Sequence, residues 1–340
     1  MKYSFRSDYC ELAHPKVLEA FCAVGNTQFT GYGLDEFSLR AAELIKEKIE
    51  SPTADVHFSC GGTQANLAVI SSVLRPHEAV IAPENGHIFV HEAGAIEATG
   101  HKICVAKGSD GKLNVADIEN ILAAHDDEHM VSPRLVYISQ SSETGTIYKK
   151  AELTAIYETC QKNGLYLFID GARLGSALNS HVNNLTYADI ANNSDVFYIG
   201  GTKNGALFGE SIVIMSDTMK KDFRTLLKQK GALISKGAAI GIQFEALLKD
   251  GLYDKLAKHA NSMAMKMASG IAEAGYEFMS PVETNILFPV FPQKVADILR
   301  ENYAFYDGEK AHDKITVRLV TSWATPESAV DNFIEDLKKI

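Results

Sequence analysis

"RLVYISQSSETGTIYKKAELTAIYETCQKNGLYLFID", residues 134–170, decides the fold. It opens on a short apolar run, "RLVYIS", rich in β-branched and aromatic residues and too short for a helix. In "KAELTAIYETCQKNG" (150–164) the apolar residues recur at helical spacing, and "LYLFID" (165–170) is a second short apolar run. A helix set between two such strands is the crossover unit of a parallel sheet.

The alternation extends in both directions. Further strands are predicted at "DVHFS" (55–59), "AVIAP" (79–83), "KICVA" (102–106), "DVFYIG" (195–200) and "SIVIM" (211–215). Helical patterns lie between them at "TQANLAVISSVL" (63–74), "HIFVHEAGAIEAT" (87–99) and "VADIENILAA" (115–124). The expected architecture is an α/β, doubly wound, mainly parallel seven-stranded sheet covered on both faces. In such sheets ligands bind at the carboxyl ends of the strands, so the residues just after each strand are the ones to inspect.

Outside this array, "LDEFSLRAAELIKEKIE" (34–50) is amphipathic, with Phe37, Ala41, Leu44, Ile45 and Ile49 on one side. "IGIQFEALLKDG" (240–251) and "YDKLAKHANSMAMKMASGIAEAG" (253–275) are helical, the second long enough to bridge two domains. The tail then offers strands at "TNILFPVF" (284–291) and "KITVRLVTSW" (314–323), and a final helix over "TPESAVDNFIEDLKK" (325–339) with Thr325 as N-cap and Pro326 at the first helical position. The division expected is a large domain, residues 1–246, and a small α+β domain, residues 247–340. No repeat or low-complexity linker interrupts it.

Composition narrows the class. At 340 residues, 46% hydrophobic and 22% charged, the chain is an ordinary globular one with length for a substantial core. No apolar run approaches a membrane span, and "MKYSFRSDYCELAHPKV" lacks the apolar core of a signal peptide. Five scattered cysteines without a C-x-x-C pair read as reduced thiols of a cytoplasmic protein. The net charge of −10 argues against nucleic-acid binding; the basic run Lys220–Lys236 reads as the wet face of a helix, with one or two members able to meet a phosphate.

Four features lie at predicted strand ends. In "CGGTQAN" (60–66), Gly61 and Gly62 permit a tight turn with free N–H groups and Thr63 adds a hydroxyl at a helix start, an arrangement suited to phosphate. The same residues also read as a plain turn with an N-cap. It is neither a P-loop nor a dinucleotide fingerprint, since G-K-[ST] and G-x-G-x-x-G are both missing. In "LFIDGARLG" (167–175), Asp170 ends an apolar strand, where it would cap a turn or hold a positively charged ring nitrogen. Arg173 offers a planar fork for a carboxylate. Lys203, in "GGTKNG" (200–205), follows the next strand, where desolvation would lower its pKa and turn a turn lysine into a nucleophile. His87 begins "HIFVHEAGA" (87–95) and could stack on a flat cofactor or move protons. His87 and His91 lack a third ligand and the H-E-x-x-H order, so no metal is expected. Together, a phosphate cradle, a ring-nitrogen partner, a Schiff-base lysine and a stacking ring describe a site for pyridoxal 5'-phosphate.

With these residues in view, the chain resembles the pyridoxal-phosphate enzymes of fold-type I, and among them the low-specificity L-threonine aldolases of the β-eliminating lyase group. The motifs run in order along the whole chain: "FRSD" (5–8), "GYGLDE" (31–36), "GGTQAN" (61–66), "HIFVHEAGAIEATG" (87–100), "DGARLG" (170–175), "GGTKNG" (200–205) and "VRLVTSW" (317–323). The resemblance implies a carbon–carbon lyase that cleaves L-threonine, L-allo-threonine or other β-hydroxy amino acids to glycine and an aldehyde. It implies that Lys203 carries the cofactor, that Asp170 pairs with its ring nitrogen, and that His87 lies on the ring face and is the first choice for the catalytic base. Gly61, Gly62, Thr63 and Thr202 would hold the phosphate. Ser7, Arg173 and Arg318 would bind the substrate carboxylate, with Arg173 also on the cofactor side. Tyr32 would enter from a neighbouring subunit of a dimer with shared sites, two dimers making a homotetramer.

Two departures stand out. Many relatives carry a serine before the lysine and a second histidine after the strand at 134–139. Here those places hold Thr202 and "SQSSETG", with Glu143 as the substitute for the histidine. The rival readings are another pyridoxal-phosphate β-elimination and a non-catalytic protein that kept the cofactor site.

Overall fold

A computed structural model describes residues 2–340. Its centre is a seven-stranded sheet made of β1 (Asp55–Ser59), β2 (Glu78–Pro83), β3 (Lys102–Ala106), β4 (Ser132–Ser139), β5 (Tyr166–Asp170), β6 (Val196–Gly200) and β7 (Glu210–Ile214). The spatial order is β1-β7-β6-β5-β4-β2-β3. Only β7 runs against its neighbours, pairing antiparallel with both β1 and β6. The seven strands foreseen are all present, β7 displaced by one residue.

Strand alternation produces the two covered faces. Ile81, Val136, Ile138, Leu167, Ile169, Phe197, Ile199 and Val213 point to one side, where they meet helices α1 (Pro15–Val24), α2 (Glu36–Lys48), α4 (Val115–Ala123), α5 (Lys150–Lys162) and α7 (Ala238–Leu248). Val80, Leu135, Tyr137, Phe168, Val196, Tyr198, Ile212 and Ile214 point to the other, against α3 (Gly62–Val73) and α6 (Phe223–Gln229). Strands buried on both faces cannot alternate apolar and polar residues, hence the near-continuous apolar runs.

A third apolar cluster lies beyond the sheet. Helix α8 (Leu252–Glu273) contributes Leu252, Tyr253 and Leu256 to the first cluster and Met263, Met267 and Ile271 to the third, so it joins the two. The third cluster also holds Phe5, Phe291, Val317, Leu319 and Phe333. Around it the strand Lys314–Val320 pairs antiparallel with Pro289–Pro292, Ile286–Leu287 and Tyr306–Ala311. Residues Tyr3–Ser4 pair in parallel with Tyr303–Ala304, and Phe5 donates to Ala304 O while accepting from Val320 N. Among the described residues no helix is long and apolar enough to cross a membrane.

Three local readings need correction. Residues 87–99 are not one helix: a single turn, His87–Val90, is followed by a break and a short 3-10 turn, Glu97–Thr99. The break falls where Ala93 and Gly94 take positive φ, 52° and 76°. In the final helix, α9 (Glu327–Lys338), Pro326 is the cap residue and Thr325 lies outside, its hydroxyl accepting from Ser322 N. On α2 the buried side chains are Ser38, Ala41 and Ile45, whereas Phe37 and Leu44 are half-exposed.

Candidate active site

The register of the sheet aligns the chemistry at one edge. Ser139 at the end of β4 lies opposite Asp170 at the end of β5, and Glu210 at the start of β7 lies opposite both Gly200 and Ser59. Lys203 follows three residues after β6.

Asp170 is 4% exposed and accepts four hydrogen bonds. The hydroxyl of Tyr137 (2.6 Å) and Asn66 Nδ2 (3.2 Å) donate to Oδ2; the hydroxyl of Tyr198 and Ala172 N (3.0 Å) donate to Oδ1. Burial alone would push this carboxyl up. The Tyr137 and Tyr198 bonds, the Ala172 N–H and the charge of Lys203 outweigh it and hold the pKa below the usual carboxylate value. Burial pushes both tyrosines well up, so they stay donors. Tyr137 and Tyr198 escaped the sequence reading because inside apolar strands they look like core. The available signal was alternation: each sits two residues before its strand's end, on the face shared with Asp170.

The glycines around this carboxylate are fixed by close approach. A Cβ at Gly62 would lie 2.9 Å from the Tyr198 hydroxyl, and one at Gly171 would collide with the Tyr198 carbonyl. Gly61 is the N-cap of α3 with no side-chain cap, Gly62 opens the helix, and Thr63 stands exposed beside it. The first N–H groups of α3 therefore face open space, as an anion site requires.

Lys203 is half-buried, and its amine makes no hydrogen bond or ion pair with the described residues. Burial first, then the Arg173 charge, lowers its pKa; Asp8, Glu143 and Asp170 oppose this without reversing it. Thr202 is differently placed from the expectation. Its hydroxyl donates to Glu210 Oε1 (2.7 Å) and accepts from Gly209 N (3.0 Å), so its one proton is committed within the protein rather than offered to a phosphate oxygen. Glu210 also accepts from Gly201 N (2.9 Å), and burial raises its carboxyl to about 7.

The two arginines differ. Arg173, 8% exposed, gives its fork to Asp8: Nε to Oδ2 at 2.7 Å and Nη2 to Oδ1 at 3.1 Å. Nε and Nη2 are thus engaged by Asp8, and Nη1 has no partner among the described residues. Asp8, 1% exposed, also accepts from Asn285 Nδ2 (2.9 Å). Burial would raise the Asp8 carboxyl, but Arg173 and Lys203 hold it at about 2. Arg318 donates only Nη1, to Arg6 O (3.2 Å), and burial followed by the Arg173 charge lowers its pKa. Its remaining N–H groups are open. Ser7 is buried with its hydroxyl 3.3 Å from Cys10 Sγ.

His87 Nδ1 is 2.7 Å from Glu92 Oε1, and Glu92 also accepts from Asn66 Nδ2 (2.7 Å). Burial disfavours the charged imidazole, yet the Glu92 bond with the Glu143 and Asp170 charges raises its pKa overall. Tyr32 stands apart, at φ 62° and 41% exposed, with Lys228 Nζ 4.6 Å from its ring centre. It touches none of the residues above. Among the described residues no group of three or more His, Cys, Asp or Glu could hold a metal.

This set fits pyridoxal phosphate on three observations: a half-buried lysine amine without a partner, a buried carboxylate kept ionised, and an uncapped helix N-terminus beside them. Asn66 Nδ2, shared between Glu92 and Asp170, makes the longest of the Asp170 bonds, at 3.2 Å.

A family model described as "Beta-eliminating lyase" matches residues 4–293. The low specificity L-threonine aldolase of Pseudomonas sp. (strain NCIMB 10558) is 33% identical over 347 residues, covering 99% of this chain and 97% of the relative. A solved structure of Leishmania major threonine aldolase superposes with a TM-score of 0.98 at 49% identity, covering 99% of both chains. An aspartate aminotransferase of Thermus thermophilus, 14% identical, matches with a TM-score of 0.74 over 99% of this chain and 91% of its own, a likeness of fold alone.

Proposed function

The chain belongs to the β-eliminating lyase family, and on that premise we propose that it is a pyridoxal-phosphate-dependent threonine aldolase, a lyase releasing glycine and an aldehyde from L-threonine or L-allo-threonine. The observation that carries the reading is the partnerless Lys203 amine beside the buried Asp170 at the carboxyl edge of the sheet.

When bound, pyridoxal phosphate supplies an aldehyde for amines and a sink for the electron pair freed at Cα. Lys203, its ammonium form disfavoured by burial, is the nucleophile towards that aldehyde. Asp170 keeps a proton on the ring nitrogen by staying ionised itself. Gly61, Gly62 and Thr63 hold the phosphate at the N-terminus of α3. Arg318, with N–H groups to spare, takes the substrate carboxylate, assisted by Ser7. Arg173, held by Asp8, adds positive charge beside Arg318 for the same carboxylate. His87, tethered to Glu92, would lie against the cofactor ring.

The proposal extends to assembly, domains and compartment. The exposed apolar side chains Tyr9, Leu12, Leu34, Leu39, Phe89 and Val90 favour a dimer that carries Tyr32 into the neighbouring site, and two dimers would form a homotetramer. The chain to residue 246 forms the cofactor domain and 247–340 the smaller one, except that Tyr3–Phe5 pack into the smaller one. The five free cysteines suit the cytoplasm.

Purified protein should release glycine and acetaldehyde from L-threonine, and pyruvate formation in place of acetaldehyde would favour the β-elimination reading instead. Lys203→Ala should abolish the visible absorbance of the bound cofactor; persistence of that band would refute the lysine assignment.

A further inference from the structure

Five carboxylates belong to the site, and four hold protein donors. Asp8 holds Arg173 and Asn285. Asp170 takes four donors. Glu92 holds His87 and Asn66, and Glu210 holds Gly201 N and Thr202. The fifth, Glu143, is half-buried, and neither of its oxygens has a hydrogen-bond or ion-pair partner among the described residues. It still acts electrostatically on His87, Arg173, Lys203 and Arg318. An acid among four basic groups, with none of them bonded to it, is available to a ligand.

The turn that carries it is rigid. β4 ends at Ser139, Gln140 N donates to Asp170 O (2.8 Å), and the chain reverses with Ser142 N to Thr146 O (2.9 Å) and Gly145 N to Ser142 O (3.0 Å). The hydroxyls of Thr144 and Thr146 both donate to Asp110 O, at 2.7 and 2.8 Å. Ser280 Oγ donates to Thr144 O (3.1 Å) and Thr284 Oγ1 to Gly145 O (2.8 Å). The backbone and hydroxyls on both sides of Glu143 are tied down, while its own carboxylate has no partner among the described residues. A reacting group held on fixed backbone in this way is pre-organised.

We propose that Glu143 is the catalytic base that accepts the β-hydroxyl proton of the substrate. This rests on the threonine aldolase reading above. In the step, the hydroxyl proton passes to a Glu143 oxygen and the O–H pair becomes the second bond of the departing aldehyde's carbonyl. The Cα–Cβ bond breaks with its pair left on the glycine half, which takes a proton at Cα before release. Atoms and charge balance without a further reactant. His87 is the poorer acceptor: its tie to Glu92 favours the imidazolium, which is a donor at Nε2.

The test uses the holoenzyme and Glu143→Gln, which keeps the shape and removes the proton acceptor, with Glu143→Asp as the conservative control. Two reactions are followed: L-threonine cleavage, and exchange of the glycine α-proton in D2O, which needs the cofactor but no β-hydroxyl base. Glu143→Gln should lower kcat for cleavage by about 10²–10⁴-fold. Its glycine exchange should stay within about threefold, as for an effect independent of the base, and its visible absorbance should be unchanged. Glu143→Asp should recover part of the cleavage. Cleavage retained within the same threefold margin, or both reactions lost in parallel, would overturn the assignment. Wild-type protein that exchanges glycine but cleaves no β-hydroxy amino acid would refute the functional reading instead.

Discussion

Asp8→Asn isolates the buried pair that supports the site. The substitution keeps the volume but faces the Arg173 guanidinium with a neutral amide, where a carboxylate now makes bonds of 2.7 and 3.1 Å. At about 3 Å and an effective dielectric of about 20, the Coulomb attraction is about 5 kcal/mol. Desolvation offsets part of it in the intact pair, yet the variant leaves a cation that is 8% exposed without its counter-charge. Breaking one side of such a pair costs about 3–5 kcal/mol. Protonation is milder, because a carboxylic acid still accepts a hydrogen bond from Arg173. The drop of the Asp8 pKa from 3.8 to about 2 corresponds to about 2 kcal/mol. Since the folded value lies below the unfolded one, that contribution is complete above about pH 4 and is lost as pH falls through about 2. Urea denaturation at neutral pH should therefore show the variant less stable by at least about 3 kcal/mol, with the gap to wild type narrowing in acid. A difference under about 1 kcal/mol at neutral pH, the worth of an exposed pair, would refute the reasoning.

Arg318→Ala should raise KM for L-threonine by about ten- to a hundredfold, the loss of a hydrogen bond to a charged group, while the cofactor's absorbance stays intact; an unchanged KM would exclude Arg318 as the carboxylate anchor. Tyr198→Phe removes a buried donor from Asp170 and should cost about 1.5–3 kcal/mol in urea denaturation, with a neutral effect counting against the four-bond account of that carboxylate. Glu210 has its folded pKa raised from 4.5 to about 7, so the cofactor-free protein should lose stability as pH rises across that window, by about 3 kcal/mol in all. Glu210→Gln should flatten that slope, and a slope unchanged in the variant would place its origin elsewhere.

Much of the architecture was legible because burial on both faces leaves a strong periodic trace. Strands such as Leu135–Ile138 and Val196–Ile199 are apolar throughout, and the helices between them carry one apolar side. The residues after each strand could then be inspected in turn, which is how Asp170, Lys203 and Gly61 were found. What escaped were partnerships. Asp8 pairs with Arg173 across 165 positions, and no local pattern announces that the arginine fork is engaged. Tyr137 and Tyr198 read as apolar bulk because their hydroxyls matter only once the register places them beside Asp170. The break after Val90 was hidden by Ala93, a good helix former that here takes a positive φ. Capping residues at 325 and 326 erred by one position, which is within the fraying of helix ends.

The pairing of residues 3–8 has a consequence for how the protein is made. Tyr3–Ser4 find their strand partner at Tyr303–Ala304, and Phe5 is held by Ala304 and Val320. A ribosome working at about 15 residues per second needs about ten seconds to travel from Arg173 to the Lys314–Val320 strand. For that interval the strand contacts that hold Phe5, three residues before Asp8, do not yet exist. The last strand to emerge is therefore the one that fixes the segment carrying the carboxylate paired with Arg173.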